Sequence, residues 1–206
     1  MAKRRPGRHG LRRIGLFGGS FDPVHNAHLA LARSALRELA LDEVRWIPAG
    51  HPWQKTRTLT DALHREAMVA LAIEGEPRFV LDPIELRRAG PSYMLDTVRA
   101  LQAAQPGAQW FLLLGQDQHA GLPTWHGADE LVQLVTLAVA GRPGAPAVSQ
   151  DTHDRRLAGA TVRAVALPPM DVSSTEVRAL CVAGQPIGHL VPEKVASYIE
   201  EHGLYR

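Results

Sequence analysis

The stretch Ile14-Gly-Leu-Phe-Gly-Gly-Ser-Phe-Asp-Pro-Val-His-Asn-Ala-His28 decides the fold of this chain. Residues 14–17 are a short apolar run of the kind that forms a strand buried on both faces of a parallel sheet. Gly18, Gly19 and Ser20 follow, and their small side chains let backbone N–H groups come close to an anion. Pro23 closes the turn. From Asn26, read as an N-cap, the apolar residues Leu29, Leu31, Ala32, Ala35, Leu36 and Leu39 recur at helical spacing. His25 and His28 therefore stand on one side of the positive end of that helix, where both imidazoles can point at one bound phosphate. The competing reading is an ordinary strand-to-helix turn that happens to carry two histidines.

Working outward from this unit, apolar runs and helical spacings alternate. Strands are expected at 44–48, 78–81, 109–114, 135–140 and 162–167, and helices at 62–73, 95–103, 175–182 and 193–202. A polar loop spans 49–59 and a Gly/Pro loop 141–146. The alternation predicts an α/β fold, a Rossmann-like doubly wound parallel sheet with flanking helices. In such a sheet ligands gather at the carboxyl ends of the strands, near the point where strand order reverses. No composition break or internal repeat divides residues 14–206, which read as a single domain long enough to bury a sizeable core.

The formal net charge of +2 hides an uneven distribution. Residues 1–13 hold Lys3, Arg4, Arg5, Arg8, Arg12 and Arg13 with no acid, leaving 17 basic and 21 acidic residues in the remainder. The first thirteen residues are expected to be a disordered basic leader, and the mildly acidic body argues against nucleic acid as a partner. No apolar run is long enough to span a membrane, no signal-peptide core follows the basic start, and no membrane partner is expected. The single Cys181 rules out an intramolecular disulfide and fits a reducing cytoplasm. The ten histidines are scattered apart from His25 and His28, so a zinc site is not expected. Homo-oligomer formation is left open.

Two later segments carry further chemistry. Gly115-Gln-Asp117 follows the strand at 109–114, so Asp117 is either a ribose-binding carboxylate at the sheet edge or a helix N-cap. Ser173-Ser-Thr-Glu176 has the pattern of a capping box, with Arg178 in the first turns of the helix. By residue type alone this is a helix start; with a ligand above it, it is a second anion site of N–H groups, hydroxyls and a guanidinium fork.

The opening motif has neither the dinucleotide G-x-G-x-x-G spacing nor a P-loop. It resembles the signature of the nucleotidyltransferase superfamily: a Gly-rich turn, Phe-Asp-Pro, and a [T/H]-x-G-H tetrad related to the HIGH motif of class I aminoacyl-tRNA synthetases. Here Ala27 stands at the usual Gly. The segment Ser173-Ser-Thr-Glu-Val-Arg178 is similar to the superfamily's second signature, and turns the reading of that helix toward anion binding. Further matches run nearly end to end: His51-Pro-Trp-Gln-Lys55, His64-Arg65, Met68, Pro91-Ser-Tyr93, Gly115-Gln-Asp117, Pro123-Thr-Trp125, Gly141-Arg-Pro-Gly144, Leu190-Val-Pro192 and Leu204-Tyr205. The chain thereby resembles the bacterial nicotinate mononucleotide adenylyltransferases. The family's P-S-Y-T motif reads Pro91-Ser-Tyr-Met94, without the Thr hydroxyl.

The resemblance implies transfer of the adenylyl group of ATP to nicotinate mononucleotide, giving deamido-NAD and pyrophosphate, with Mg2+ carried on the ATP phosphates. It implies catalytic roles for His25, His28, Lys55 and Arg178. ATP would be held by Gly18, Gly19, Ser20, Phe21, Asp22, Gly115, Asp117, Ser173, Ser174 and Thr175. Nicotinate mononucleotide would meet Tyr93, Met94, Trp125 and Arg142, with His51 and Trp53 as further candidates for the pocket wall. A phosphopantetheine adenylyltransferase or a cytidylyltransferase would share the opening turn, and a non-catalytic nucleotide sensor would tolerate loss of either histidine.

Overall fold

A computed structural model describes residues 11–52, 58–141, 157 and 159–206. Six strands alternate with helices: β1 (Arg13–Gly19), α1 (Asn26–Glu38), β2 (Glu43–Pro48), α2 (Ala62–Ile73), β3 (Phe79–Leu81), α3 (Met94–Ala104), β4 (Gln109–Leu114), α4 (Gln116–Gly121), a 3-10 turn at Leu122–Thr124, α5 (Ala128–Leu134), β5 (Thr136–Gly141), β6 (Thr161–Ala166), α6 (Ser174–Val182) and α7 (Glu193–Glu201). All neighbouring strands pair in parallel, in the order β3-β2-β1-β4-β5-β6. Strand order reverses between β1 and β4, which is the crevice where a doubly wound sheet takes its ligands.

The apolar runs are explained by layers on both faces. Ile14 and Leu16 of β1, with Trp110, Leu112 and Leu114 of β4, pack toward Leu95, Val98 and Leu101 of α3 and Leu131 and Val132 of α5. The alternate residues Phe17, Phe111 and Leu113 join Val44 and Trp46 in the opposite layer, with residues of α1, α2 and α7. Side chains alternate across a strand, so a strand apolar at every position needs cover on both sides. Gly15 keeps these layers close, since a Cβ built there would lie 2.9 Å from Leu41 Cδ1 and 3.0 Å from Val44 Cγ2.

The structure corrects three expectations. The N-cap of α1 is His25, with extended backbone, and Asn26 is the first helical residue; Asn26 instead donates through its backbone N–H to Leu190 O and through Nδ2 to His189 O. Arg13, counted with the leader, is part of β1: its N–H donates to Asp42 Oδ2, its Nε to Leu39 O, and its guanidinium lies 4.8 Å from the Phe111 ring centre. Arg12 is also tied in, through an ion pair with Glu43. Finally, α4 and α5 occupy a stretch with no expected element. At six and seven residues they are too short to repeat an apolar face.

Gly15→Ala should destabilise the protein by about 1–3 kcal/mol through overpacking of this layer. Urea denaturation of the purified variant checks it; an unchanged midpoint would mean that Leu41 and Val44 move aside without cost.

Candidate active site

β1 and β4 end side by side at the switch point, and the chain leaves both through glycine. A cavity of about 880 Å3 opens over these ends, within the range of small-ligand sites and large enough for a nucleoside triphosphate. Gly18, Gly19, Ser20 and Phe21 form its floor together with His25, Ala27 and His28 at the start of α1. Gly115 and Asp117 line one side, and Ser173, Ser174, Thr175 and Arg178 of the α6 start line another. Three segments far apart in sequence are thus brought to one cavity.

The two imidazoles stack, with ring centres 3.6 Å apart and planes 25° from parallel. The backbone N–H of His25 donates to His28 Nδ1 at 3.1 Å. His28 therefore accepts at Nδ1, and its own ring proton sits on Nε2. Phe17 and Phe21 present themselves edge-on to the His28 ring, at 5.7 and 5.2 Å. Burial lowers the pKa of His25 to about 4, and burial together with the neighbouring His25 lowers that of His28. At neutral pH both rings are neutral hydrogen-bond donors rather than fixed cations.

Phe21 holds the turn in an uncommon backbone conformation, with φ of 46° for a buried aromatic residue. Such strain persists where the surroundings over-determine it, and here they do. The carboxylate of Asp22 is completely buried; it accepts from Tyr205 Oη at 2.7 Å and from Thr60 N–H at 3.4 Å. Arg178 Nη1 donates to Asp22 O at 2.7 Å, and Ser174 Oγ to Pro23 O at 2.9 Å. Arg65, only 2% exposed, donates from Nη1 to Ser20 O and Ala49 O and from Nε to Thr60 O. Burial, with Asp22 beside it, pushes the Tyr205 hydroxyl pKa up, so Tyr205 stays a donor.

Asp22, grouped with the ATP ligands by resemblance, is thus corrected: its carboxylate is sealed in the turn and holds that turn together, facing Tyr205 and Thr60. Asp117 is not an N-cap, since Gly115 occupies that place; Asp117 lies in the first turn of α4 and lines the cavity. At α6, Ser173 is the N-cap, accepting from Glu176 N–H at 3.1 Å. Arg178 Nη2 reaches Thr175 Oγ1 at 3.1 Å, so one guanidinium spans the opening turn and the second signature. Lys55, Arg142 and Trp53 lie outside the described residues. His51 is exposed, and its N–H is held by Ser92 Oγ at 3.0 Å.

A second cavity of about 110 Å3 adjoins the first and shares Gly18, Gly19 and Ser20 with it. Tyr93, Met94 and Trp125, grouped around the acceptor by resemblance, line it together with His126 and Glu85. Tyr93 and His126 stack at 4.2 Å, 24° from parallel. Met94 fills the space under Gly18, where any Cβ at that glycine would overlap its methyl group. Sequence reading missed Glu85 and the roles of Arg65 and Tyr205. For Glu85 the one available signal was an acid between two apolar residues, Ile84-Glu-Leu86; Arg65, between His64 and Glu66, gave none by residue type.

A parallel sheet with a Gly-Gly-Ser turn and paired histidines at its switch point defines a nucleotidyltransferase, and the cytidylyltransferase-like family matches residues 16–180. Relatives sharpen this. A "probable nicotinate-nucleotide adenylyltransferase" of Methylibium petroleiphilum is 53% identical over 199 residues, covering 94% of this chain and 92% of its own length. A protein of the same description from Bordetella petrii is 48% identical, covering 95% of this chain and 100% of its own. The chain belongs to the nicotinate-nucleotide adenylyltransferase family. The same fold is found in the Plasmodium falciparum nicotinic acid mononucleotide adenylyltransferase complexed with NaAD, with a TM-score of 0.79, 19% identity and coverage of 94% and 97% of the two chains.

Two outcomes follow from this geometry. Tyr205→Phe should cost about 1–3 kcal/mol in urea denaturation, because it strips a donor from a buried carboxylate; no loss would mean Asp22 is satisfied without it. The histidines set an acid limit. The folded-state pKa of His25 lies near 4, below the roughly 6.5 of an unfolded chain, so the unfolded state binds more protons in between. Stability is full above about 6.5 and is lost as pH falls toward about 4. His25→Gln should flatten the stability slope in this window, read by denaturation at pH 7 and pH 5.

Proposed function

We propose that the protein transfers the adenylyl group of ATP to nicotinate mononucleotide, forming nicotinate adenine dinucleotide and pyrophosphate. The observation that carries this is the shared floor: a triphosphate-sized cavity and a small aromatic-walled cavity meet over Gly18, Gly19 and Ser20, with the histidine pair beside them. A nucleoside triphosphate over the large cavity, with the pyridine ring of the acceptor in the small one, brings an acceptor phosphate against the α-phosphate of ATP.

The acceptor's 5′-phosphate is already an anionic nucleophile, so the reaction needs no strong base and no covalent enzyme intermediate. Its oxygen attacks the α-phosphorus in line; a new P–O bond forms, the α–β bridging P–O bond breaks, and pyrophosphate leaves with that electron pair. Catalysis is then positioning and charge stabilisation. His28 Nε2–H and the His25 ring donate to α-phosphate oxygens as charge shifts. Their neutrality suits them to this, since a neutral donor strengthens its bond as charge builds without needing to lose a proton.

Arg178, Thr175 and the start of α6 hold the β- and γ-phosphates, and Asp117 meets the ribose. Carried over from the resemblance, Lys55 bridges the phosphates of the two substrates and Arg142 adds to the acceptor wall. Mg2+ carried on the triphosphate would neutralise part of its charge; Asp117 and Asp171 are carboxylates lining that cavity. Trp125 and Tyr93 offer flat faces to the pyridine ring. With Met94 at the usual Thr, its carboxylate is left to backbone N–H groups at the start of α3.

Pyrophosphate release from Mg2+–ATP with nicotinate mononucleotide, nicotinamide mononucleotide or phosphopantetheine as acceptor tests the reading. Release is expected to favour nicotinate mononucleotide; release with another acceptor alone overturns the substrate. His28→Ala should lower kcat by about 10²–10³-fold with the fold intact, and a variant that keeps full turnover at saturating substrates would point to a nucleotide sensor instead.

A further inference from the structure

Five of the described residues line both cavities: Gly18, Gly19, Ser20, Leu114 and Gln118. The first three belong to the floor after β1, and Leu114 is the apolar end of β4. Gln118 differs from them, being a long polar side chain carried by α4. Gln116 and Asp117, just before it, line the large cavity only, so Gln118 is the residue of α4 that stands at the boundary. α4 buries none of its residues, and Gln118 is exposed. Its amide has no hydrogen-bond partner among the described residues. Polar groups of the acceptor wall are by contrast occupied: Ser92 Oγ accepts from the N–H groups of Gly50 and His51, both at 3.0 Å, and Glu85 Oε1 accepts from Thr97 Oγ1 at 2.7 Å. Gln118 therefore brings two donors and an acceptor to the junction of the cavities with none of them committed to the protein.

Whatever joins the contents of the two cavities must pass this boundary. On the reading above, the joining groups are the acceptor's 5′-phosphate and the α-phosphate of ATP, which become one diphosphate bridge in the product. Two anions brought together repel, and more strongly as water is displaced from between them. A terminal amide offers two N–H donors on one nitrogen, and a hydrogen bond to a charged acceptor is stronger than one between neutral groups. Resting on the acceptor assignment, we propose that Gln118 is a further substrate-binding residue whose amide donates to the two joining phosphates, one N–H to each, and so couples the binding of one substrate to that of the other. The Gly18–Ser20 turn holds the bridge from the end of β1, and Gln118 holds it from beyond the end of β4. The dinucleotide product, which fills both cavities at once, receives the whole contact. A ligand confined to one cavity receives part of it.

The test measures Kd by titration calorimetry for three probes, in the wild type, Gln118→Met and Gln118→Glu: nicotinate adenine dinucleotide, nicotinate mononucleotide, and an ATP analogue with a methylene between its α- and β-phosphorus. Gln118→Met keeps the length of the side chain and loses its donors. It should weaken the dinucleotide by about tenfold or more and each of the other two probes by a smaller factor, so that the analogue and the mononucleotide lose the mutual enhancement they show in the wild type. Gln118→Glu sets a carboxylate against two phosphates and should weaken the dinucleotide further, with a loss that shrinks as salt is raised. Urea midpoints of both variants should match the wild type. Unchanged dinucleotide affinity in Gln118→Met overturns the proposal. So does a loss confined to one of the two smaller probes, which would assign Gln118 to one cavity, and so does an equal loss for all three with a lowered urea midpoint, which would make its role structural. Should Gln118→Met fail to fold, the salt dependence of Gln118→Glu decides the matter, its absence overturning the contact. Absence of wild-type turnover with nicotinate mononucleotide would instead strike at the acceptor assignment, so the two failures are distinguishable.

Discussion

The buried carboxylate of Asp22 is the point on which the site depends. It cannot reach solvent, so it must be satisfied from within, and its donors come from Tyr205 and from Thr60 just before α2. Arg178 and Ser174 grip the same turn by its backbone oxygens, and Arg65 grips Ser20. The Gly-Gly-Ser turn could not by its own preferences stay where a phosphate needs it, since small residues resist no displacement. It is fixed by four side chains from the rest of the molecule. The cost of burying charged groups is offset only when every partner is in place, so this arrangement also commits the surrounding segments to a single geometry.

Much of this was legible in the sequence. Strands apolar at every position announce a sheet covered on both faces, and β4 falls where its unbroken Trp-Phe-Leu-Leu-Leu run places it. The histidine pair and the Ser173 cap were also readable, because their chemistry depends on neighbours within a few residues. What escaped has a common physical cause. Short α4 and α5 carry no repeating pattern, and the N-cap fell on His25 because extended backbone there lets its N–H meet His28 Nδ1. Asp22 looked like a ligand residue because it sits in a ligand motif; only the arrival of Tyr205, 183 residues away, turns it into an anchor. Glu85 was invisible for the same reason, being an ordinary loop acid until Ser92 and Thr97 close over it.

The two cavities divide the chemistry by environment. Over the large one, N–H groups, hydroxyls and Arg178 provide a polar cradle suited to phosphates. The small one is mostly apolar and aromatic, walled by Tyr93, Trp125 and His126. Met94 joins them physically, since its methyl sits beneath Gly18 while its own residue opens α3 at the acceptor wall. A hydroxyl at that position would serve the acceptor ring; a thioether instead props the floor common to both ligands, and flexible, polarisable methionine is suited to filling such a gap.

The bond between Tyr205 and Asp22 also has a bearing on the order of assembly. Synthesis delivers residues 21–23 early and residue 205 some 180 residues later, so the nascent chain can build β1, α1 and β2 while the phosphate turn still lacks its anchor. Loop closure over such a span is slow compared with local helix formation. A growing chain of this enzyme would hold its nucleotide-binding sequence in a loose form until the last helix docks, and competence would arrive as one late event rather than by degrees.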